Sequence, residues 1–276
     1  LAEAREIILN NVCSSAPVKL PLVESAGRVL AQDLVAPCDL PRWNNSAMDG
    51  YAVRAADCRT GAVLEVTGFI QAGGIATPPV AAGCAVKIMT GAAVPSGADA
   101  VVPVEETEEL QGQVRIIGRV KERDHIRFRG EDISAGDLVV PAGRILRPAE
   151  ISLLAAIGMA EAPVYRPVRV AILSTGDELV EAGEKPGPGK IVDSNSPALA
   201  TAVSATGAEA VMLGFAGDTI ESLREKLLQG LQVDALVTSA GVSAGDLDLV
   251  RDVLAELGVR PLFWKVAIKP GRPTAF

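Results

Sequence analysis

The stretch WKVAIKPGRPTAF (264–276) carries three cations and no carboxylate, although the chain as a whole has a formal net charge of -8. Its apolar residues predict a strand over LFWKVAIK (262–269). In that strand Lys265 and Lys269 share one face, because side chains alternate between the two faces of a strand. Lysines that protect an edge strand from aggregation would explain this pattern. The two ammonium groups, followed by Arg272 on a Pro-Gly turn, also fit the binding of phosphate or another oxyanion.

Carboxylates follow a second apolar run, VRVAILS (168–174). The run leads into Thr-Gly-Asp-Glu (175–178), and two carboxylates on a tight turn could hold a hard cation such as Mg²⁺, which takes oxygen ligands. The spacing by itself favours a solvated turn with an acidic helix start. Further along, Asp218 is explained as the N-cap of a helix over 218–230, since Glu221 completes a capping-box pattern.

A run of small residues, SAGVSAGDLD (239–248), follows a third apolar run. Small residues let backbone N–H groups converge on an anion, and the start of a helix adds the positive end of its dipole. The run is neither G-x-G-x-x-G nor a P-loop, because no Gly-Lys-Ser/Thr follows. Anion binding and a tight strand-to-helix turn capped by Asp246 or Asp248 are equally well supported.

The last third of the chain alternates buried apolar runs with amphipathic runs. This rhythm predicts an α/β domain with a parallel sheet covered by helices on both faces. Ligands in such sheets bind at the carboxyl ends of the strands, where the polar residues above fall. The predicted strands are 168–174, 208–214, 233–239 and 262–269. The predicted helices are 195–207, with Ser196 as N-cap, then 218–230 and 246–258.

The region from about Trp43 to Arg129 has short β-branched runs between glycines, which predict a small β-rich domain. Asp49 in NNSAMDGYAV (44–53) and Thr90 in IMTGAAVPSGADAVVPVEET (88–107) lie in turns that ordinary turn chemistry explains. The single histidine falls outside these stretches and no cysteine has a reactive context, so Ser–His or Cys–His catalysis is disfavoured. Positioning, metal ions and cationic groups are the chemistry that remains.

Composition narrows the class of protein. A chain of 276 residues, 49% hydrophobic and 22% charged, predicts a globular protein of two or three domains. The net charge of -8 and the 3% aromatic content argue against a nucleic-acid or anionic-membrane surface. The stretch LAEAREIILNN (1–11) has acidic residues and no basic region before its apolar ones, which is not the pattern of a signal peptide. No apolar run is long enough to predict a bilayer span. The four cysteines form no C-x-x-C pair, which favours reduced thiols in the cytoplasm.

Taken together, these stretches resemble the MoeA type of molybdopterin molybdenumtransferase, which is related to the C-terminal domain of gephyrin. Each stretch by itself is a weak signal, but they occur in family order over nearly the whole chain, and as a set they are highly specific. The matching stretches are NNSAMDGYAV, IMTGAAVPSGADAVVPVEET, RGEDI (129–133), STGDEL (174–179), IVDSN (191–195), SAGVSAGDLD and FWKVAIKPGRP (263–273).

The resemblance implies a fold of the α/β class: a three-layer molybdopterin-binding domain with a parallel-type sheet, a small linking domain and a β-rich inserted domain. Family members form homodimers whose active site combines the α/β domain of one subunit with the β-rich domain of the other. They continue past the position of Phe276 with a proline-containing loop and a C-terminal β domain, so a truncated chain is implied. The implied domains are 1–17 with 164–276 (α/β), 18–42 with 130–163 (linking) and 43–129 (β-rich).

The resemblance also implies a reaction, the last step of molybdenum cofactor synthesis. Adenylylated molybdopterin and molybdate would give molybdenum cofactor and AMP with Mg²⁺, after handover from a molybdopterin adenylyltransferase. The residues that match functional positions of the family are Asp49, Thr90, Glu178, Asp218, Asp248, Lys265 and Lys269.

These residues have distinct implied roles. Glu178, Asp218 and Asp248 would bind Mg²⁺. The lysines and Arg272 would hold phosphates or the oxyanion, although many family members have lysine at the position of Arg272. The pterin phosphate would be cradled by a loop that includes Ser239, Gly241, Ser243 and Gly245.

Other functions remain open. The main alternative is a non-catalytic molybdopterin-binding or scaffold protein, or an inactive fragment of the transferase. The adenylyl transfer that precedes metal insertion uses a similar α/β domain, but that domain lacks the β-rich insertion. The MDGYA and MTGA motifs within residues 43–129 therefore favour the transferase lineage.

Overall fold

Residues 1–74, 79–239 and 249–276 are described by the structure, which is a computed structural model. They divide into two units. The first, the α/β unit, comprises Leu1–Leu20, Ser25–Ala31 and Pro163–Phe276, and the second, the β-rich unit, comprises Pro21–Glu24 and Gln32–Ala162. A separate linking domain stays a prediction. None of the helices in the described ranges combines the length and the apolar character that a bilayer crossing needs.

The β-rich unit is built on a mixed sheet whose strands are β4 (Gly50–Val53), β5 (Val63–Ile70), β6 (Cys84–Ile88), β7 (Ala100–Pro103), β8 (Thr107–Leu110) and β9 (Gln113–Ile116). Their order across the sheet is β7-β4-β6-β5-β9-β8. Shorter strands form two separate pairs, β3 (Asn45–Ser46) with β10 (Ile126–Arg127) and β2 (Leu34–Val35) with β11 (Leu138–Val140). Helix α2 (Pro148–Ala156) follows, with Pro148 in its first turn as predicted.

Strand β4 lies between β6 and β7 and is buried along its whole length. Tyr51 and Val53 pack into one apolar cluster with Ile116, while Ala52 packs into a second cluster with Ile88. Because successive side chains point to opposite faces of a sheet, these clusters cover its two faces. The apolar run at 51–53 is therefore continuous rather than alternating.

The α/β unit contains a parallel sheet in which, among the described residues, β13 lies between β16 and β17. The strands are β13 (Arg169–Thr175), β16 (Glu209–Ala216) and β17 (Ala235–Thr238), and the helices are α1 (Ala2–Asn11), α3 (Asn195–Ala205), α4 (Ile220–Gly230) and α5 (Leu249–Glu256). Shorter pairs join β1 (Pro17–Pro21) to β12 (Glu161–Tyr165) and β14 (Leu179–Val180) to β15 (Ile191–Val192). The strands predicted over 168–174, 208–214 and 233–239 are confirmed.

Helices cover both faces of this sheet, as predicted. Leu173 of β13 packs with Leu223 and Leu227 of α4 in a buried cluster that also includes residues of α5. The next residue, Ser174, points to the opposite face and meets Ser196 of α3 at 2.7 Å. The core thus lies between the sheet and α4 and α5, while a polar contact joins the sheet to α3.

The predicted strand over 262–269 is wrong, because this segment bonds within itself instead of pairing with the sheet. The N–H groups of Leu262 and Phe263 donate to the carbonyl of Phe276 at 2.6 and 3.1 Å. The N–H of Val266 donates to the carbonyl of Arg272 at 3.0 Å. The prediction that Lys265 and Lys269 share one face of a strand is therefore wrong as well.

Two predicted helix caps are also corrected. The N-cap of α4 is Thr219, whose hydroxyl accepts the N–H of Ser222 at 3.3 Å, and not Asp218. At the start of α3 the carboxylate of Asp193, rather than the Ser196 hydroxyl, accepts backbone N–H groups. Both helices begin close to where the sequence predicts, but a neighbouring side chain provides the cap.

Candidate functional site

The carboxyl edge of the α/β sheet carries an acidic turn, formed by Asp177, Glu178 and Asp218. Strands β13 and β16 end side by side, with Thr175 opposite Ala216, so the residues that follow them are neighbours. The N–H of Asp218 donates to the Asp177 carboxylate at 3.2 Å, and the N–H of Asp177 to the Asp218 carboxylate at 3.4 Å. All three acidic residues are exposed. The fold therefore brings Asp218 to the turn that carries Glu178.

Two glycines make room for the carboxylates of the acidic turn. A Cβ atom on Gly176, whose φ is +138°, would lie 2.3 Å from Oε2 of Glu178. A Cβ atom on Gly217 would lie 3.0 Å from Oδ1 of Asp177. The Glu178 carboxylate thus folds back over the backbone of residue 176, and a side chain there would displace it.

Lys190 is a cation beside the acidic turn that the sequence reasoning missed. Its ammonium group donates to the carbonyl of Asp177, and the N–H of Ile191, the next residue, donates to the carbonyl of Glu178 at 2.8 Å. The pairing of β14 with β15 places Lys190 there. Its position directly before the IVDSN stretch was the signal that could have pointed to it.

The acidic turn is also the candidate metal site. Its donors are carboxylate oxygens, which suit Mg²⁺, and that ion is usually bound through one or two carboxylates together with substrate phosphates. Glu178 and Asp218 supply such a pair. Within residues 1–74, 79–239 and 249–276, no group of three acidic, histidine or cysteine side chains is arranged to hold a metal ion. The third predicted ligand, Asp248, lies outside the described residues.

A second polar feature, the hydroxyl chain, lies at the carboxyl ends of β13 and β17. We use this name for Ser239, Ser174 and Ser196 together with Asp193. The Ser239 and Ser174 hydroxyl oxygens lie 2.8 Å apart, and those of Ser174 and Ser196 lie 2.7 Å apart. Ser174 and Ser196 are buried. A predicted binding residue, Ser239, is thereby joined to groups that the sequence did not connect.

Asp193 ends the hydroxyl chain and is itself buried. Its Oδ1 accepts the N–H groups of Asn195 at 2.9 Å and Ser196 at 3.2 Å. Burial raises the pKa of Asp193, but hydrogen bonds from the Ser196 hydroxyl, these two N–H groups and the Ser174 hydroxyl outweigh it, so the pKa lies below the ordinary value of 3.8. The carboxylate is therefore ionised at neutral pH and can only accept hydrogen bonds.

The predicted anion-binding loop is covered only at its start. Ser239 is described, whereas Gly241, Ser243 and Gly245 lie outside the described residues. The phosphate-binding role of these three positions stays a prediction.

The terminal cations Lys265, Lys269 and Arg272 are all exposed. Val266, between the two lysines, is 5% exposed and anchors the segment. Among the described residues, no ion pair engages these cations and no hydrogen bond joins them to the acidic turn. Their charges are thus not neutralised by an acidic group in that part of the chain.

In the β-rich unit the structure brings Asp49 and Thr90 together. Asp49 directly precedes β4, and Thr90 follows β6, whose Ile88 is paired with Gly50. The Asp49 carboxylate accepts the Thr90 N–H at 2.7 Å and the Thr90 hydroxyl at 2.8 Å. These bonds, the backbone one first, hold the pKa of Asp49 below its ordinary value of 3.8. An exposed, ionised carboxylate is thus held in one orientation.

The fold and these sites define a class: a protein in which an α/β unit with carboxylates and hydroxyls at its strand ends is joined to a β-rich unit. Comparison with known families assigns residues 1–158 to the MoeA N-terminal region (domain I and II) and residues 171–276 to a probable molybdopterin binding domain. The chain therefore belongs to the MoeA family.

Individual relatives agree with this assignment. A protein of Mycobacterium tuberculosis named molybdopterin molybdenumtransferase 2 is 40% identical over 282 residues, which cover 98% of this chain and 70% of the relative. A molybdopterin molybdenumtransferase of Haemophilus influenzae is 39% identical over 259 residues, which cover 93% of this chain and 64% of the relative. The chain thus spans about two thirds of the length of these relatives.

Solved structures show the same fold. Two structures of the molybdopterin biosynthesis MoeA protein from Pyrococcus horikoshii match with TM-scores of 0.87 and 0.84 at 33% and 31% sequence identity. They cover 99% and 100% of this chain, which in turn covers 70% of each.

Proposed function

We propose that this protein inserts molybdenum into adenylylated molybdopterin and releases AMP, as the last step of molybdenum cofactor synthesis. The observation that carries this proposal is the joining, in one chain, of the MoeA N-terminal region and a molybdopterin binding domain. The names of the relatives at 39% and 40% identity support a transferase.

The substrates are anionic, and the terminal cations are suited to them. Adenylylated molybdopterin carries a diphosphate and molybdate is an oxyanion. Lys265 and Lys269 present exposed ammonium groups without an ion-pair partner among the described residues, and Arg272 adds a planar guanidinium that can bind an oxyanion through two bonds. We assign these three residues to binding the diphosphate or molybdate.

The acidic turn has the complementary role. Glu178 and Asp218, with Asp248 from the sequence, are the residues that would hold Mg²⁺. A bound Mg²⁺ would neutralise charge on the diphosphate as AMP leaves. The glycines at 176 and 217 leave room for the carboxylates, and the Lys190 ammonium group stabilises the turn by donating to the carbonyl of Asp177. In the β-rich unit, Asp49, held ionised by Thr90, is a further catalytic candidate.

We also expect a cytoplasmic homodimer that receives adenylylated molybdopterin from an adenylyltransferase. The family resemblance is the support for this assembly. Light scattering tests it, because a homodimer has twice the mass of the 28.5 kDa chain.

The test of the proposed function is molybdate-dependent release of AMP from adenylylated molybdopterin in the presence of Mg²⁺. Lys269→Ala and Asp218→Asn are expected to lower the rate at least about 100-fold, because each removes a charge that acts on the reacting groups. Lys185→Ala, which removes an exposed lysine elsewhere in the α/β unit, is the matched control and keeps the rate.

Two outcomes would contradict the proposal. Binding of adenylylated molybdopterin without AMP release would instead favour a non-catalytic molybdopterin-binding protein. ATP-dependent adenylylation of molybdopterin would favour the preceding step of the pathway.

A further inference from the structure

The hydroxyl chain has a direction that its proton count determines. Each serine hydroxyl carries one proton and can donate one hydrogen bond, whereas an ionised carboxylate can only accept. The contacts run from Ser239 to Ser174 at 2.8 Å and from Ser174 to Ser196 at 2.7 Å. The row ends beside the Asp193 carboxylate, which accepts the backbone N–H of Ser196 at 3.2 Å, and hydrogen bonding from these serines helps to lower its pKa. Three protons are thus distributed along a row that ends on a negative charge.

The buried carboxylate decides how these protons point. Asp193 is 5% exposed, and Ser174 and Ser196 are 0% and 3% exposed, so bulk solvent has little access to the carboxylate from that side. Bonds to an ionised acceptor are roughly twice as strong as neutral ones, so the protons of Ser196 and Ser174 are drawn toward Asp193, directly or through each other. The contact between Ser174 and Ser239 then has Ser239 as its donor.

We infer that Asp193 is a positioning residue that makes Ser239 a hydrogen-bond acceptor toward the substrate. With its proton directed to Ser174, Ser239 presents only lone pairs at the carboxyl end of β17. Such an oxygen binds an N–H donor and not a phosphate oxygen. Given the proposed function, on which the substrate's identity rests, the N–H groups are those of the pterin. Ser239 therefore recognises the pterin ring, in contrast to the phosphate contact that the sequence predicts.

Binding of two small probes separates these roles. The probes are 6-hydroxymethylpterin, which has N–H donors and no phosphate, and inorganic pyrophosphate, a polyanion that has no N–H donor and offers mainly acceptor oxygens. Isothermal titration calorimetry on the full chain gives a Kd for each. Ser239→Ala is expected to raise the pterin Kd about three- to tenfold, the value of one lost neutral hydrogen bond, and to leave the pyrophosphate Kd unchanged. Ser239→Thr keeps the hydroxyl and is expected to keep the pterin Kd.

Asp193→Asn gives the sharper result, because an amide can donate. Its carbonyl oxygen can still cap α3, while its NH₂ group reverses the chain so that Ser239 donates outward. The pterin Kd is then expected to rise about three- to tenfold while the pyrophosphate Kd falls about threefold. Thr201→Val, which removes an exposed hydroxyl on α3 that bonds to the Pro197 carbonyl, is the control and changes neither value.

A purely structural role for Asp193 would weaken both probes together, and that result would overturn the inference. So would a loss of pyrophosphate binding in Ser239→Ala with pterin binding intact, or a wild-type chain that does not bind the pterin saturably. If Asp193→Asn does not fold by circular dichroism, Ser239→Ala and its threonine rescue decide. Pterin selectivity in a wild-type chain that releases no AMP would support the inference while contradicting the proposed function.

Discussion

At the scale of single residues, the strongest local interactions hold carboxylates ionised at defined positions. Asp49 accepts two hydrogen bonds from one residue, Thr90, although the two are 41 positions apart in the chain. Asp193 accepts backbone and hydroxyl donors while buried. Hydrogen bonds to the charged form favour ionisation, so both carboxylates stay negative well below neutral pH.

Thr90→Val tests the first of these contacts. Valine keeps the backbone N–H that bonds to Asp49 but removes the hydroxyl donor. The pKa of Asp49 is therefore expected to rise toward 3.8 without reaching it, because the backbone bond, the larger cause, remains. A carbon-detected NMR titration of the Asp49 carboxyl group measures this. An unchanged pKa would mean that the hydroxyl contact is not formed in solution.

The control for this change is Thr107→Val. The Thr107 hydroxyl donates to the carbonyl of Val104 and belongs to the same unit. Its loss is expected to leave the pKa of Asp49 at the wild-type value.

Asp193→Ala tests the second carboxylate through the pH dependence of stability. The change removes the acceptor for the N–H groups of Asn195 and Ser196 and is expected to cost about 1–2 kcal/mol of unfolding free energy at pH 7, the usual loss for a helix cap. The folded pKa lies below the unfolded value, so the wild-type advantage is complete above about pH 4 and is lost as pH falls through the folded pKa. Urea denaturation at a series of pH values measures it.

An advantage that grew as the pH fell would show that the sign of this pKa shift is wrong. Asp193→Asn is the companion variant, because it keeps an oxygen acceptor. It is expected to be less destabilising than Asp193→Ala at pH 7.

At the scale of elements, the α/β sheet is held by the apolar face of α4. Leu223 and Leu227 pack with Leu173 of β13 in a cluster that excludes solvent. Leu223 and Leu227 lie four residues apart, so they share one face of α4. The helix begins directly after its N-cap, Thr219. The packing of α4 on β13 thus holds both elements next to the acidic turn, which follows β13 and β16.

Leu227→Ala is expected to destabilise the chain by about 2–5 kcal/mol, because it deletes methyl groups from a fully buried site and leaves a cavity. Leu228→Ala, one residue further along the same helix and 45% exposed, is the matched control and is expected to cost less than about 1 kcal/mol. The midpoint of thermal or urea unfolding measures both. Equal losses in the two variants would contradict the packing of α4 described above.

At the scale of the whole molecule, charge is distributed unevenly. The chain has 34 acidic and 26 basic residues, and its net charge of -8 repels anionic ligands at long range. The terminal cations oppose this repulsion locally, since they have no acidic partner among the described residues. Salt screens both the repulsion by the net charge and the attraction by the terminal cations. Screening the repulsion strengthens the binding of an anion, whereas screening the attraction weakens it.

Binding of pyrophosphate as a function of salt decides which charge distribution dominates. If the terminal cations hold the anion, raising sodium chloride from about 0.05 M to about 0.5 M weakens binding, because close attractive contacts are screened. Lys269→Ala is expected to flatten this dependence, whereas Lys185→Ala keeps it. Binding that tightens with salt would show that the net charge dominates and that the cations form no anion site.

The sequence by itself determined the local elements and the family. Strands β13, β16 and β17 lie within two residues of their predicted positions, because apolar runs bounded by glycine and polar residues act over a few neighbouring residues. The same local signals predict α2, α3 and α4, and the ordered motifs indicate the MoeA family to which the chain belongs.

Only the tertiary structure decided which of these residues meet. The contact of Asp218 with Asp177, the contact of Asp49 with Thr90 and the hydroxyl chain all join residues that lie on or next to different strands or helices. The strand predicted at 262–269 failed for the related reason that a strand needs a partner, and this segment bonds to its own last residues instead. Side-chain type and spacing specify an element's own conformation, but long-range pairing sets its neighbours, and it is the neighbours that build the candidate site.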